Sequence, residues 1–89
     1  MGCPYKAIAD DIRRKILEYL SQGEAASGEI ASKFEISNTA ISSHLKILKE
    51  ADIVKERKVR QNRLYSLNDD EIDSMKYFLD TLTLNDSSS

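Results

Sequence analysis

Two short amphipathic segments separated by only three residues constrain the fold of this 89-residue chain more than any other feature. They span residues 27–34 and 38–51, and each carries apolar residues at the spacing of one helix face. Two helices joined by so short a connection form the helix-turn-helix pattern, which many helical proteins share. The apolar residues are Ile30, Ala31 and Phe34 in the first segment and Ile41, Leu45 and Leu48 in the second.

A serine is available to cap each of these helices. Ser27 stands at the start of the first, and Glu29 lies in its first turn, where the helix dipole favours an acid. Ser37 stands at the start of the second. The caps and the periodicity together predict both helices.

The chain before this pair is also predicted to be helical. Residues 5–21 form either one amphipathic helix or two helices joined near Asp10-Asp11, and Ser21-Gln22-Gly23 ends this region. Its periodic apolar residues are Ile8, Ile12, Ile16, Leu17 and Leu20.

Strand patterning begins after Asp52. Residues 55–67 contain two runs with alternating side chains, so they predict a β-hairpin. The tip is polar and basic, and Asn62 is the residue there best suited to a left-handed backbone conformation.

A last helix is predicted over residues 69–82. Asn68 and Glu71 resemble a capping box at its start. Its apolar stripe either covers the chain's own domain or packs against a helix of another subunit. The stripe consists of Ile72, Met75, Leu79 and Leu82, and Phe78 widens it.

These elements describe one domain over residues 1–84, mainly α with a small β-hairpin, and a disordered tail at 85–89. A chain this short buries only about 60% of its unfolded surface, so it commonly needs a disulfide, a metal or a partner subunit. A single cysteine, Cys3, cannot form an internal disulfide, and a single histidine, His44, cannot complete a Cys/His zinc site. We therefore expect a partner subunit, which favours a dimer contact through the last helix.

The charge is unevenly distributed. Residues 33–63 hold eight Lys and Arg against four Asp and Glu, a balance of +4, while the whole chain carries −2. A basic middle segment suits contact with a nucleic acid, although a solvated charged face would show the same balance.

Other classes of protein are disfavoured. The sequence has no second histidine, nucleophile motif or glycine-rich phosphate loop, so we expect neither an enzyme nor a cofactor. Its apolar runs are too short to span a membrane, and no secretory signal opens the chain, so we expect a cytoplasmic protein.

The outer face of the second helix of the pair has the side chains that DNA recognition requires. At 100° per residue, Thr39, Ser43 and Lys46 point away from the apolar face, and Ser42 lies to one side. Hydroxyl groups can bind several base edges, and a lysine can reach a guanine or a phosphate.

Further contacts are predicted around this face. Ser37 and Asn38 lie at the helix N-terminus, where the dipole favours a phosphate. His44 flanks the apolar face, so its ring either packs or hydrogen-bonds at the domain edge or contacts DNA. The hairpin would contact the DNA backbone or the minor groove. Its candidate residues are Lys58, Arg60, Gln61, Asn62 and Arg63.

Several blocks of residues, taken in this order, resemble the ArsR-type bacterial transcriptional repressors. The blocks are Tyr5-Lys6-Ala7-Ile8-Ala9-Asp10, Arg13-Arg14-Lys15-Ile16-Leu17, Ile36-Ser37, Ser42-Ser43-His44-Leu45-Lys46-Ile47-Leu48 and Tyr65-Ser66-Leu67. The resemblance implies a winged helix-turn-helix fold with four helices, two strands and a fifth helix. It also implies a homodimer that binds an imperfect palindrome in promoter DNA, and it favours a DNA contact for His44.

The resemblance further implies that the first and last helices form the dimer interface. The residues that this assigns to the interface are Tyr5, Ile8, Ile72, Met75, Leu79 and Leu82, and the wider stripe adds Phe78.

Many proteins of this type release DNA when a metal binds a cysteine pair before the recognition helix, or Asp, His and Glu on the last helix. This chain has no cysteine in residues 27–33, and its last helix has Asp70 and Asp73 but no histidine. We therefore predict no metal site. Two other departures are Asp11, where proline is common, and Arg60, near the usual glycine of the wing.

Release from DNA would then depend on a sequestering protein partner, on the protein's own concentration under autoregulation, on a thiol reaction at Cys3 or on a small molecule, and we favour the first two. The alternative to a DNA-binding repressor is a winged-helix module that binds protein and has no operator, which the acidic isoelectric point near 5.3 slightly favours.

Overall fold

A computed structural model of the chain describes residues 3–82. Residues 1–2 and 83–84 of the predicted domain, and the predicted tail at 85–89, lie outside the described residues. The elements are α1 (Pro4–Ala7), α2 (Asp11–Leu20), β1 (Ala25–Ala26), α3 (Ser27–Phe34), α4 (Asn38–Glu50), β2 (Val54–Val59), β3 (Asn62–Leu67) and α5 (Asp69–Leu82). The prediction of a mainly α fold with a hairpin is confirmed, and the structure adds β1, which was not predicted.

The core is built around α4. Three of its residues, Ile41, Leu45 and Leu48, are almost completely buried, as the periodicity predicts. They pack with residues of α2, α3 and the start of the hairpin, among them Ile16, Ile30 and Ile53. Each such side chain stabilises the fold by about 1.5–3 kcal/mol through burial, so α4 is held firmly while its other face stays outside.

The N-terminal region forms two helices rather than one. Asp10 separates them, because its carboxylate accepts hydrogen bonds from the backbone N–H groups of Ile12 (2.8 Å) and Arg13 (3.1 Å) and so caps α2. The N–H donated by Arg13 is the main reason that the pKa of Asp10 lies below its ordinary value. The sequence left both arrangements open, and this cap decides between them.

The turn between α3 and α4 depends on a left-handed residue. Glu35 has φ 55°, and the backbone N–H of Ile36 donates to the carbonyl of Ala31, which closes the end of α3. Ser37 caps α4 as predicted, accepting from the N–H of Ala40 at 3.1 Å. The prediction that Ser27 caps α3 is wrong, because Ser27 is the first helical residue and Ala26 holds the cap position.

The hairpin belongs to a three-stranded antiparallel sheet with the order β1-β3-β2. Val59 pairs with Asn62, so the hairpin turns through only Arg60 and Gln61. Arg60 has φ 59° and takes the left-handed conformation. The assignment of that conformation to Asn62 is therefore wrong, because Asn62 already belongs to β3.

The last helix begins where predicted, but Asn68 has a different task there. Its side-chain amide donates to the carbonyl of Asp52 at 2.8 Å, and its backbone N–H donates to the carbonyl of Ile53 at 2.8 Å. The predicted capping box is thus not the arrangement that the structure shows for Asn68. These bonds tie the start of α5 to the connection between α4 and β2.

Candidate nucleic-acid interface

The outer face of α4 is exposed and polar. Thr39, Ser43 and Lys46 are all exposed, directly opposite the buried face. They border an open hollow of about 400 Å³ together with Asn38 and Ser42. The structure therefore brings together five of the seven predicted contact residues of this helix region. A helix of 13 residues with such a face is suited to the major groove of a duplex.

The two other predicted residues, Ser37 and His44, make contacts within the domain. Ser37 is exposed, but its hydroxyl caps α4. His44 is half-buried, and its Nδ1 lies 3.4 Å from the guanidinium of Arg13, which also donates from Nε to the carbonyl of Ala7 at 2.6 Å. This geometry matches a histidine that is hydrogen-bonded at the domain edge. A DNA contact of His44 stays a prediction.

The wing, which we define as residues 54–67, lies beside α4 and presents basic side chains. Its predicted contact residues are all exposed: Lys58, Arg60, Gln61, Asn62 and Arg63. They cluster at the turn and on the adjoining ends of β2 and β3, so the structure places them at one tip. A tip with this charge is suited to the backbone phosphates next to a groove.

Sequence reasoning missed an ionic cluster between α4 and the wing. The carboxylate of Glu56 accepts hydrogen bonds from Lys49 Nζ at 2.5 Å, Arg63 Nη1 at 3.0 Å and the hydroxyl of Tyr65 at 3.0 Å. The hydrogen bond from Lys49, followed by that from Arg63, lowers the pKa of Glu56 to about 2. The register of β2 against β3 places Tyr65 opposite Glu56, but no local pattern in the sequence indicates the contact of Lys49.

A second ion pair lies on the other face of the sheet. Arg57 follows Glu56 in β2, so its side chain points the opposite way. Its guanidinium donates twice to the carboxylate of Glu24, at 2.6 and 2.8 Å. This hydrogen bonding lowers the pKa of Glu24 and raises the pKa of Arg57.

An apolar surface, which we call the α1–α5 surface, lies away from these basic groups. Its residues are Tyr5, Ile8, Ile72, Phe78, Leu79 and Leu82. The rings of Tyr5 and Phe78 lie 5.7 Å apart between centroids, which joins the two helices. Beside them, a hollow of about 470 Å³ is lined largely by apolar side chains, among them Ile8 just after α1, Leu17 of α2 and Ile72 of α5.

Most of the predicted dimer residues lie on this surface, but Met75 does not. Met75 is 7% exposed and packs into the core of its own subunit, so it supports the surface from beneath. Phe78, Leu79 and Leu82 are 49%, 47% and 65% exposed. Tyr77, which was not predicted as a functional residue, is 77% exposed on the other side of α5.

The residues present do not fit the metal sites that the resemblance implies. Within residues 3–82, no three His, Cys, Asp or Glu side chains come together as a metal would require. The helix before the recognition helix has no cysteine, and α5 has no histidine. The expectation that the protein has no metal site stays a prediction.

No helix among the described residues has the length and apolar character needed to cross a membrane.

The fold, together with the polar outer face of α4 and the basic tip of the wing, defines a winged helix-turn-helix protein that binds DNA. A family model for bacterial regulatory proteins of the arsR family matches residues 10–56. The transcriptional repressor SdpR of Bacillus subtilis is 40% identical over 88 residues, which cover 98% of each chain. This chain therefore belongs to the ArsR family and is a transcriptional regulator rather than an enzyme.

Solved structures agree with this assignment. Reduced HlyU from Vibrio cholerae matches with a TM-score of 0.73 and 36% identity, over 88% of this chain and 82% of that one. A homodimeric winged helix-turn-helix DNA-binding domain from Mycobacterium bovis, from a possible ArsR-family regulator, matches with a TM-score of 0.73 and 27% identity. That match covers 88% of this chain and 72% of the other.

Proposed function

We propose that this protein is a cytoplasmic homodimeric repressor that binds a palindromic promoter operator through α4 and the wing. The observation that carries the proposal is the two-sided character of α4. One face of α4 is buried in the core through Ile41, Leu45 and Leu48. The opposite face exposes Thr39, Ser43 and Lys46 beside a basic hairpin. A helix fixed in this way can present the same side chains to each duplex that it meets.

The α1–α5 surface supports the dimer. Exposed apolar side chains that cluster on one side of a small domain usually mark a protein contact. The homodimeric relative from Mycobacterium bovis supports the same arrangement. Two-fold symmetry would place the two α4 helices about 34–36 Å apart, which is one turn of the duplex.

The recognition role of α4 is tested by replacing Ser43 and Lys46 together with alanine. The probes are a duplex obtained by in vitro selection from random sequence and a random-sequence duplex of equal length, measured by gel shift. Because both side chains face the groove, we expect the preference for the selected duplex to fall by about 10- to 100-fold. An unchanged preference would contradict the assignment of α4.

The matched control is the alanine variant of Lys58 and Arg60 in the wing. These residues are expected to contact phosphates, so their loss should weaken binding to both duplexes alike. The slope of log K against log salt concentration should become less steep by about 2. The two variants thus separate base recognition from backbone contact.

A protein-binding module without an operator is the other candidate, and the same titration decides between them. Such a module would fail to bind the random duplex even at low salt.

For the release of the repressor from DNA, we propose either sequestration by a protein partner or control by its own concentration under autoregulation. Adding an extract fraction to the preformed complex, with and without excess repressor, distinguishes these two mechanisms.

A further inference from the structure

A single carboxylate lies inside the basic interface described above. The side chain of Glu56 is only 11% exposed, whereas those of Lys49 and Arg63, which donate to it, are 53% and 59% exposed. All three border a hollow of about 190 Å³ between α4 and the wing, which Ser42 and Lys46 also line. The acid therefore lies directly beneath side chains that are assigned to the DNA contact.

The cluster joins two elements that must act together on DNA. Lys49 belongs to the last turn of α4, and Arg63 and Tyr65 belong to β3, so one carboxylate accepts from both sides of the hollow. Each charged hydrogen bond restrains a long side chain that would otherwise sample many rotamers. Glu56 thereby fixes the position of the wing relative to the end of α4.

The same carboxylate changes the electrostatics of the interface. Affinity for DNA of any sequence depends on how many counterions the protein's cations displace from the phosphates. A cation that is already paired with a carboxylate must exchange that partner before it can neutralise a phosphate. Lys49 and Arg63 therefore contribute less to binding at arbitrary sites than two unpaired cations would.

We propose that Glu56 is a specificity-determining residue of the DNA contact, acting as an internal counter-ion that restrains Lys49 and Arg63. It lowers affinity for duplexes of arbitrary sequence and leaves tight binding to sites where α4 and the wing fit together. The inference rests on the proposed function, because it assumes that α4 and the wing contact DNA. The low pKa of Glu56 is consistent with this role, since the carboxylate stays ionised at any pH used for binding.

The test is Glu56→Gln, which removes the charge and keeps the shape. The probes are the selected duplex and the random-sequence duplex, titrated by fluorescence anisotropy at several salt concentrations. We expect affinity for the random duplex to rise by about three- to tenfold. The slope of its log K against log salt concentration should become steeper by about 1–2. Affinity for the selected duplex should rise less, so the ratio between the two falls.

Glu24→Gln is the matched control. It makes the same change in charge and also releases an arginine, Arg57, but on the opposite face of the sheet. We expect this variant to keep the ratio of the wild-type protein. If it lowers the ratio as much as Glu56→Gln does, the effect comes from net charge alone and the proposal is overturned.

A second control removes the restrained cations. In a background that carries Lys49→Gln and Arg63→Gln, the Glu56→Gln change should no longer steepen the salt dependence, because no cation remains to be released. Thermal unfolding of each variant checks that it is folded. If Glu56→Gln is unfolded, Glu56→Asp serves instead, since the shorter side chain cannot reach both cations and should lower the ratio in the same direction.

The outcomes separate the two proposals. A wild-type protein that does not prefer the selected duplex overturns both the proposed function and this inference. The inference alone is overturned if the wild-type protein clearly prefers the selected duplex and Glu56→Gln leaves the ratio of the two affinities unchanged.

Discussion

The helices α4 and α5 have similar length and similar amphipathic patterning, yet their outer faces differ. α4 buries three residues and leaves hydroxyls and a lysine outside, whereas α5 buries only Met75 and leaves Phe78, Leu79 and Leu82 exposed. A polar outer face costs little in water and can hydrogen-bond to base edges. An apolar outer face is unfavourable in water until a protein surface covers it.

The comparison shows that an apolar stripe alone does not tell what a helix packs against. The apolar stripe of α4 is buried within its own domain, because α2, α3 and the hairpin pack around it. The stripe of α5 is wider than the surface that its own domain offers, and the excess lies next to Tyr5 of α1. One helix is therefore suited to DNA and the other to a second subunit.

The largest expected effect comes from breaking the α1–α5 surface with Phe78→Asp. A charge at this half-exposed apolar position should prevent the dimer, because burying an unpaired carboxylate is very unfavourable. A monomer contacts only one half-site, so affinity for the selected duplex should fall by about 100-fold or more. Analytical ultracentrifugation and anisotropy measure the two consequences on the same sample.

Tyr77→Asp is the control for this prediction. Tyr77 precedes Phe78 but lies on the side of α5 opposite Met75, since each residue advances by 100°. The variant should remain a dimer and bind DNA like the wild-type protein. A monomeric Tyr77→Asp would show that the dimer contact extends to that side, and a dimeric Phe78→Asp would contradict the interface.

The sequence predicted the parts of this comparison that depend on local signals. The periodicity of α4 identified both its buried face and its exposed side chains, and the predicted range of α5 agrees with the structure. The caps depend on more than residue type: Ser27 has the right chemistry for capping but is itself the first residue of α3, and Asn68 is held by a distant part of the chain. Asn68 is held by Asp52, sixteen residues earlier in the chain.

What the sequence could not predict depends on distant contacts. The strand β1 is only two residues long, so it has no alternation to detect, and it forms because β3 offers it an edge. The Glu56 cluster depends on how the hairpin lies against α4, which no local pattern specifies. Because the ionised carboxylate accepts three hydrogen bonds, the stability that this cluster contributes is sensitive to acid.

Acid should therefore destabilise the fold through the loss of the ionised Glu56 carboxylate. The folded-state pKa of Glu56, about 2, lies below its ordinary value of 4.5, so its bonds stabilise the fold fully above about pH 4.5. That contribution is lost as the pH falls through about 2. Because both cationic partners are half-exposed and screened, we expect a loss of only about 1 kcal/mol.

Urea unfolding of the wild-type protein and Glu56→Gln, at equal protein concentration, measures this loss. The difference in free energy of unfolding between the two should shrink by about 1 kcal/mol between neutral pH and about pH 2. A difference that stays constant would mean that folding does not lower the pKa of Glu56.

The smallest expected effect concerns the tip of the wing, where two properties of Arg60 can be separated. Its charge is expected to contact phosphate, whereas its φ of 59° is unfavourable for any residue with a Cβ. Arg60→Gly and Arg60→Ala remove the same charge, so the two variants should weaken binding to the selected and random duplexes to the same extent.

The two variants should differ in stability. Only Arg60→Gly relieves the backbone strain, although glycine also loses more entropy on folding. Arg60→Gly should therefore be the more stable variant by at most about 1 kcal/mol in urea unfolding. Equal stability of the two would show that the turn relaxes to another conformation, and different DNA affinities would show that the shape of the tip, besides its charge, matters for binding.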